Sequence, residues 1–393
     1  MKYRKHKDFT VSEVGAGCYT LSGVYGVKDV KEFKQMLNRA YDLGINFFDT
    51  ADAYGDAERI LGEMIKPYRK DVYFATKVGI KGGVKPTHSC KYVKTACEKS
   101  LERLQTDHID LYQVHFDDPD TPVEETVGVL EKLVSDGKIR YYGVGHLPIE
   151  RVEIYCKIGN VFSVLIELSA VARNSREKLL PLCRTYGVGA IAFSTTGRGL
   201  LTGRFQKEKK IESEDIRNID PLFQHERFQS GLRVAEKLAK VGGSYGKTPA
   251  QVAIAWVLSQ PEVICALTGP SIVDHLEENV GGSGWFLSLE DLEDMELFFK
   301  QEDVWLEQEQ RFSIRHILSK PLLQESYKDF FADLVYVIET AILLGLTSEK
   351  EILPIFRELY GMRKALDEDV VPKLENIRKR LCDIIRMKNG EVL

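Results

Sequence analysis

Between about residues 13 and 280, short apolar and β-branched runs alternate with longer stretches whose apolar positions recur at i, i+3, i+4 and i+7. The first pattern predicts buried strands and the second amphipathic helices, so the chain reads as successive βα units. Eight strands are predicted: VGAGCYT (14–20), INFFDT (45–50), VYFATKV (72–78), IDLYQVH (109–115), YYGVGH (141–146), VFSVLIEL (161–168), VGAIAFS (188–194) and VICALTG (263–269). VKEFKQMLNRAYDLG is the first helix, and Gly44 stops it where a left-handed residue is favoured. Eight strands, each followed by a helix, predict an α/β chain folded as a closed (β/α)8 TIM barrel rather than an open doubly wound sheet. No G-x-G-x-x-G follows the first strand, so the usual dinucleotide-binding fingerprint is missing.

The longest gap separates strands seven and eight. It holds the polar segment KEKKIESEDIRNIDP, predicted to be a surface excursion, and then a helix near GLRVAEKLAKVGGSYG. After residue 288 the alternation ends. Ser288 and Asp291 have the spacing of a capping box that opens a helix through LEDMELFFKQE. Helix-period stretches follow at LLQESYKDFFADLVYVIETAILLG, SEKEILPIFRELYG and DEDVVPKLENIRKRLCDIIRMK. The expected organisation is a barrel over residues 1–288 and an all-α C-terminal extension over 289–393.

Composition narrows the partners. The chain carries 54 Lys and Arg against 59 Asp and Glu, a formal net charge of −5, so no basic excess exists to hold a nucleic acid. Seven scattered cysteines with no C-x-x-C suit a reducing compartment better than a disulfide framework or zinc site. The basic N-terminus, MKYRKHKDFT, lacks the apolar stretch of a signal peptide. The most apolar windows, VFSVLIELSAV and LVYVIETAILLGL, are broken by Glu167 and Glu339 and are too short to span a bilayer. A soluble cytoplasmic protein without membrane partners is expected.

Function on such a barrel collects at the C-terminal ends of the strands. There the predicted strands end in Asp49, Lys77 and His115, with Tyr54 a few residues beyond Asp49 in ADAYGDAE. The set suits proton donation to a carbonyl. A free phenol, with a pKa near 10, is a sluggish acid at neutral pH, and a neighbouring ammonium favours its ionised form. Lys77 is positioned to supply that charge, Asp49 to hold Lys77 protonated, and His115 to orient a substrate oxygen. The hydride that completes a reduction has to come from a bound cofactor. His115 with Asp117 and Asp118 also invites a metal reading, but no second histidine has ligand spacing, and no metal is expected. Lys77 as a Schiff-base nucleophile is a competing enzyme class, weakened because an Asp-paired, charged lysine is a poor nucleophile.

Several segments then resemble the aldo-keto reductase superfamily. GINFFDTADAYGDAERILGEMI is similar to its signature, with Asp49, Tyr54, Glu58 and Gly62 at pattern positions. VYFATKVG resembles its lysine strand, and SLERLQTDHIDLYQVHFDDPDTPVEETVGVLEKLVSDGKIRYYGVG its histidine strand and following helix. GRGLLTGRF and GPSIVDHLEEN resemble two cofactor-binding stretches, so the likeness covers roughly residues 8 to 300. It implies a catalytic tetrad of Asp49, Tyr54, Lys77 and His115, with Tyr54 as proton donor in the reduction of an aldehyde or ketone to an alcohol. The implied cofactor is NADP, with NAD as the alternative, lying across the barrel mouth. Its pyrophosphate would lie by the loop containing Gly197, Arg198, Gly199, Leu200 and Gly203. Its adenosine end would meet Gly269, Ser271, His275, Glu278 and Asn279.

The chain departs from the family at the nicotinamide. Gly145-His146 stands where Ser-Asn is usual, Leu165 where a glutamine is usual, and Phe193 replaces the stacking tyrosine. His275 occupies the place of an arginine that often pairs with the 2′-phosphate. Three readings follow: a reductase whose carboxamide contacts come from His146, a shift toward NADH, or a catalytically weak cofactor-binding sensor or regulatory subunit acting through its tail. The helical extension is read as packing or homo-oligomer contact, as a lid on the pocket, or as a docking element for a partner protein.

Overall fold

The computed structural model describes residues 1–26, 28–81, 85–206, 211–212, 214–320, 327–363 and 368–389. The chain opens with an antiparallel hairpin, β1 (Tyr3–His6) and β2 (Phe9–Ser12). All eight predicted apolar runs then form parallel strands: β3 (Val14–Gly17), β4 (Phe47–Asp49), β5 (Tyr73–Val78) and, after a small ribbon of β6 (Ile80–Lys81) and β7 (Lys85–Pro86), β8 (Ile109–Val114), β9 (Ile139–Gly145), β10 (Ser163–Glu167), β11 (Gly189–Phe193) and β12 (Val263–Thr268). They close into a barrel in sequence order, with β12 pairing β3. Every residue of β8 and β12 is buried, which is why these strands read as unbroken apolar runs and not as alternating ones.

Helices α1 (Val30–Asp42), α2 (Ala57–Ile65), α3 (Cys90–Leu104), α4 (Val123–Ser135), α5 (Ile149–Ile158), α6 (Asn174–Tyr186), α7 (His225–Gly243), α8 (Pro249–Leu258) and α9 (Val273–Val280) accompany the strands. Asp29 caps α1 by accepting from the amides of Lys31 and Glu32, and Gly44 follows its end at φ +86, as its sequence position predicts. Helix α10 (Leu289–Ser319) starts after Ser288, but only half of the expected capping box forms. The Asp291 amide donates to Ser288 Oγ at 3.0 Å, whereas the Ser288 amide donates to the Tyr245 hydroxyl at 3.0 Å.

The hairpin closes the end of the barrel away from the strand C-termini. Phe9 and Val11 join the interior cluster of Phe47, Ala75, Leu111, Phe162, Ile191 and Cys265. The Phe9 ring stacks on Tyr73 at 4.1 Å and packs against Phe162 at 4.8 Å, both at the N-terminal ends of their strands. Arg140 lies over the Phe9 ring, 4.6 Å from its centroid. Phe9→Ala leaves a cavity among rigid aromatics and is expected to lower stability by about 3–5 kcal/mol. Chemical denaturation measures it; a loss below about 1 kcal/mol would mean that the plug is dispensable.

The chain forms two compact units, Met1–Arg204 with Ala235–Leu292, and Phe205–Val234 with Glu293–Leu393. The second unit takes most of α10, with α11 (Tyr327–Leu343), α12 (Glu349–Gly361) and α13 (Val371–Asn389). Its core is built from Phe331, Leu334, Val337, Leu359, Leu374 and Leu381, all fully buried. The expected surface excursion after β11 is corrected here. Part of KEKKIESEDIRNIDP falls outside the described residues, but its end and the residues after it are packed: Ile219 lies against that core, and Leu222 and Phe223 are buried. The physical reason is charge pairing. Arg227 donates to Glu339 at 2.8 Å, and Glu226 accepts from Ser313 at 2.7 Å and from Tyr336. Glu339, which interrupts an apolar run, therefore serves a half-buried arginine. Among the described residues no helix is long and apolar enough to cross a membrane.

Candidate active site

The two-residue period of a strand places Ala75 and Lys77 on one face of β5, and Leu111, Gln113 and, one step past the strand, His115 on one face of β8. The register sets Asp49 beside Ala75, Ala75 beside Leu111 and Lys77 beside Gln113. Since Ala75 and Leu111 belong to the interior cluster, Lys77, Gln113 and His115 also point into the barrel. Lys77 Nζ donates to Asp49 Oδ1 at 2.5 Å and to the Thr50 carbonyl at 2.7 Å. Gln113 Nε2 donates to the other Asp49 oxygen at 3.3 Å. Burial pushes the Asp49 carboxyl up, and the Lys77 ammonium and Gln113 amide oppose that rise.

Tyr54 stands over this pair. Its loop is a tight turn in which the Tyr54 amide donates to the Ala51 carbonyl at 3.1 Å. Lys77 Nζ lies 5.1 Å from the ring centroid, and the ring meets His115 edge-on at 5.7 Å. All four expected catalytic residues thus converge. One expectation reverses: Tyr54 is held well above the ordinary phenol value, by burial first and then by the Asp49 charge, and is not lowered by Lys77. The group is accordingly a protonated acid throughout the neutral range. His115 is pushed well below its usual value by burial, by Lys77 and by His146, so its ring is neutral. Its Nδ1 has no protein partner among the described residues.

Three wall residues escaped the sequence reading. Tyr19 packs on Tyr54 at 4.9 Å and on Tyr25 at 5.9 Å, and Phe116 lies against His115 at 4.5 Å. The signal for the tyrosines is the run CYTLSGVYG directly after the first strand; Gln113 is signalled by sitting two residues before His115. Glu58 and Gly62, by contrast, are structural. Glu58 accepts from Thr76 at 2.6 Å and Arg103 at 2.6 Å, and a Cβ on Gly62 would collide with the Leu104 backbone.

The expected cofactor residues lie at the same end of the barrel. Gly145 ends β9 and His146 follows it at φ +49; Phe193 ends β11, 5.0 Å from the His146 ring. His146 also lies 5.8 Å from His115, which ties this wall to the tetrad, and crowding together with Lys77 and Arg198 lowers its pKa to about 4. Leu165 faces Gly145 and offers no polar group; with His146, Glu167 and Phe193 it lines a cavity of about 110 Å³.

The loop after β11 turns through Gly197 at φ +58, Arg198 at +52 and Gly199 at +92, enters a turn at Leu200 and leaves it at Gly203, φ +74. Ser194 is also at φ +55, so the non-glycine residues Ser194, Arg198 and His146 carry backbone strain at this rim. With Gly197, Gly199 and Gly203 lacking side chains, such a loop fits close approach of a phosphate. Arg198 pairs with Glu167 at 2.9 Å.

Gly269 directly follows β12, Ser271 precedes α9, and His275, Glu278 and Asn279 lie on that helix. Arg204 pairs with Glu278 at 2.6 Å. His275 is lowered by burial and by the charges of Arg204 and Lys28 against the opposing pull of Glu278 and Asp274, so groups of both signs gather where the family's arginine is replaced. These residues fit the far end of a nicotinamide dinucleotide.

Residues 13–296 match the Aldo/keto reductase family. The chain is 36% identical over 293 residues to aldo-keto reductase YhdN of Bacillus subtilis, covering 72% of this chain and 88% of the relative. It is 32% identical over 290 residues to aldo-keto reductase yakc [NADP(+)] of Schizosaccharomyces pombe, covering 71% and 85%. The solved glycerol dehydrogenase AKR11B4 of Gluconobacter oxydans superposes with a TM-score of 0.71 at 27% identity, covering 77% of this chain and 96% of that one. A barrel whose strand ends assemble this tetrad, with a match of that extent, defines an oxidoreductase class. The chain belongs to the aldo-keto reductase family, and it carries a helical C-terminal extension beyond the matched residues.

Proposed function

We propose that this protein reduces an aldehyde or ketone to the alcohol with NADPH, and that Tyr54 delivers the proton. The observation that supports it most is the buried Lys77–Asp49 pair beneath a protonated phenol, with a neutral imidazole at its edge. Residues Gly145, His146, Phe193, Gly197–Gly203, Gly269, Ser271, His275, Glu278 and Asn279 would hold the cofactor, which when bound supplies a hydride to the carbonyl carbon. His115 orients the carbonyl oxygen through a ring nitrogen. Tyr54 donates its hydroxyl proton to that oxygen, and the resulting phenolate is met by the Lys77 ammonium. Asp49 holds the Lys77 side chain in place, so Nζ is positioned before the proton moves.

NADP is read over NAD because Arg204 and Lys28 stand near His275, although Glu278 already pairs with Arg204, and because the name of the Schizosaccharomyces pombe relative carries NADP(+). With all seven cysteines free thiols, a cytoplasmic enzyme acting on a small carbonyl compound is the consistent reading. The test is fluorescence titration with NADPH and NADH, followed by a carbonyl panel with the tighter binder. NADPH is expected to bind at least about tenfold more tightly, and Arg204→Ala to remove most of that preference while sparing NADH. Tight cofactor binding with no turnover of any aldehyde or ketone would overturn the reading.

A further inference from the structure

Gln113 lies in the barrel interior beside the Lys77–Asp49 pair and takes no part in the proton transfer itself. It is fully buried. Its side chain's only hydrogen bond among the described residues runs from Nε2 to Asp49 Oδ2 at 3.3 Å, and Oε1 meets no partner. Leu111, two residues back on the same face, shows that apolar side chains fill this interior. A buried amide with an unmet oxygen is the less stable filling. The next strand leaves room for its stem at Gly143, where a Cβ would come within 2.8 Å of Ser163 and 3.4 Å of Gln113 Cγ.

The amide governs how the Asp49 carboxylate meets Lys77. An ammonium has three donors, and two of those on Lys77 are engaged, by Asp49 Oδ1 and by the Thr50 carbonyl. The third is left for Tyr54, whose ring centroid lies 5.1 Å from Nζ. A carboxylate whose second oxygen is unheld turns easily and can present that oxygen to the ammonium as well. We propose that Gln113 is a positioning residue for proton transfer: by holding Oδ2 it keeps Asp49 on Lys77 through one oxygen, and so leaves the third ammonium donor for the phenolate of Tyr54. The inference rests on carbonyl reduction through Tyr54. The titratable groups facing Asp49 are Lys77 on β5, Tyr54, Cys18 after β3 and Cys265 on β12. Burial holds the phenol and both thiols protonated, so the carboxyl is the acid that responds to loss of the amide.

The test takes Gln113→Leu and Gln113→Glu in the full chain, with NADPH and a reactive aldehyde. Gln113→Leu keeps the stem and removes the donor. It should lower kcat about tenfold, with KM and the affinity for NADPH within about twofold of wild type. Gln113→Glu should be slow at about pH 8 and recover as pH falls, because a protonated carboxyl donates to Asp49 Oδ2 as the amide does and an ionised one repels it. A side chain that merely filled space would give neither the split between kcat and KM nor that recovery. The loss in Gln113→Leu should disappear in a Tyr54→Phe background, since it passes through that hydroxyl. Infrared difference spectra between about pH 5 and 8 read Asp49 without turnover. The band of its protonated carboxyl, identified by its loss in Asp49→Asn, should persist to higher pH in Gln113→Leu than in wild type. Equal titration of Asp49 in the two proteins overturns the inference, as does a Gln113→Leu variant with wild-type kcat. Absence of any carbonyl reduction by the wild type overturns the proposed reaction instead, while the infrared shift still decides whether Gln113 holds Asp49.

Discussion

Tyr54→Phe is expected to slow carbonyl reduction by about 10³-fold while leaving the affinity for NADPH within about twofold. The ring is positioned by contacts that survive the change: Tyr19 at 4.9 Å, the His115 edge at 5.7 Å and the turn through Ala51. Only the hydroxyl is lost, and with it the one proton held over the Lys77–Asp49 pair. The loss should therefore appear in kcat, with KM little changed, because the group acts on the oxygen as charge develops there. A variant that kept its kcat would transfer the proton donor's role to another group, with His115 the nearest.

The second large effect concerns the pair beneath. Lys77→Met removes the ammonium and leaves the Asp49 carboxylate buried with only the Gln113 amide for a partner at 3.3 Å. Breaking a buried ion pair in this way costs about 3–5 kcal/mol. Burial already pushes the Asp49 carboxyl up, and without Lys77 nothing of opposite charge is bonded to it. Its folded pKa would then lie above the unfolded one, so the variant is most destabilised at neutral and higher pH. The deficit shrinks as pH falls and Asp49 takes up a proton. Lys77→Met/Asp49→Leu should recover much of the stability with no activity, since a pair replaced by apolar groups leaves no orphaned charge. Denaturation of the three proteins at two pH values measures this. Equal stability of Lys77→Met and wild type would mean that the pair contributes nothing to the fold.

Much of the barrel was legible because burial on both faces writes a strand as an apolar run, and the polar residue that ends such a run faces the barrel mouth. That one rule located Asp49, Lys77 and His115. The hairpin of β1 and β2 was not legible, since four-residue strands with only Phe9 and Val11 alternating inward are too short to stand out. Nor was the packing of the segment after β11: Arg227 and Glu226 read as solvated charges until Glu339 and Tyr336, more than a hundred residues later, are brought beside them. The direction of the Tyr54 shift was misread for a related reason. Sequence shows that a lysine and an aspartate are near, but the balance turns on depth and on which of them is bonded to the other. The cofactor departures at His146, Leu165 and His275 were visible as letters; that Arg204 and Lys28 approach His275 required the fold.

Carbonyl reduction through Tyr54 is tested most directly by a single turnover of bound NADPH with a reactive aldehyde, followed across pH in wild type and Tyr54→Phe. With the phenol held well above its ordinary value and the His115 ring held neutral, the wild-type rate should be flat from about pH 6 to 9. The variant should be about 10³-fold slower at every pH. A wild-type rate that falls along an alkaline limb near neutrality, or a variant that turns over like wild type, would contradict Tyr54 as the proton donor.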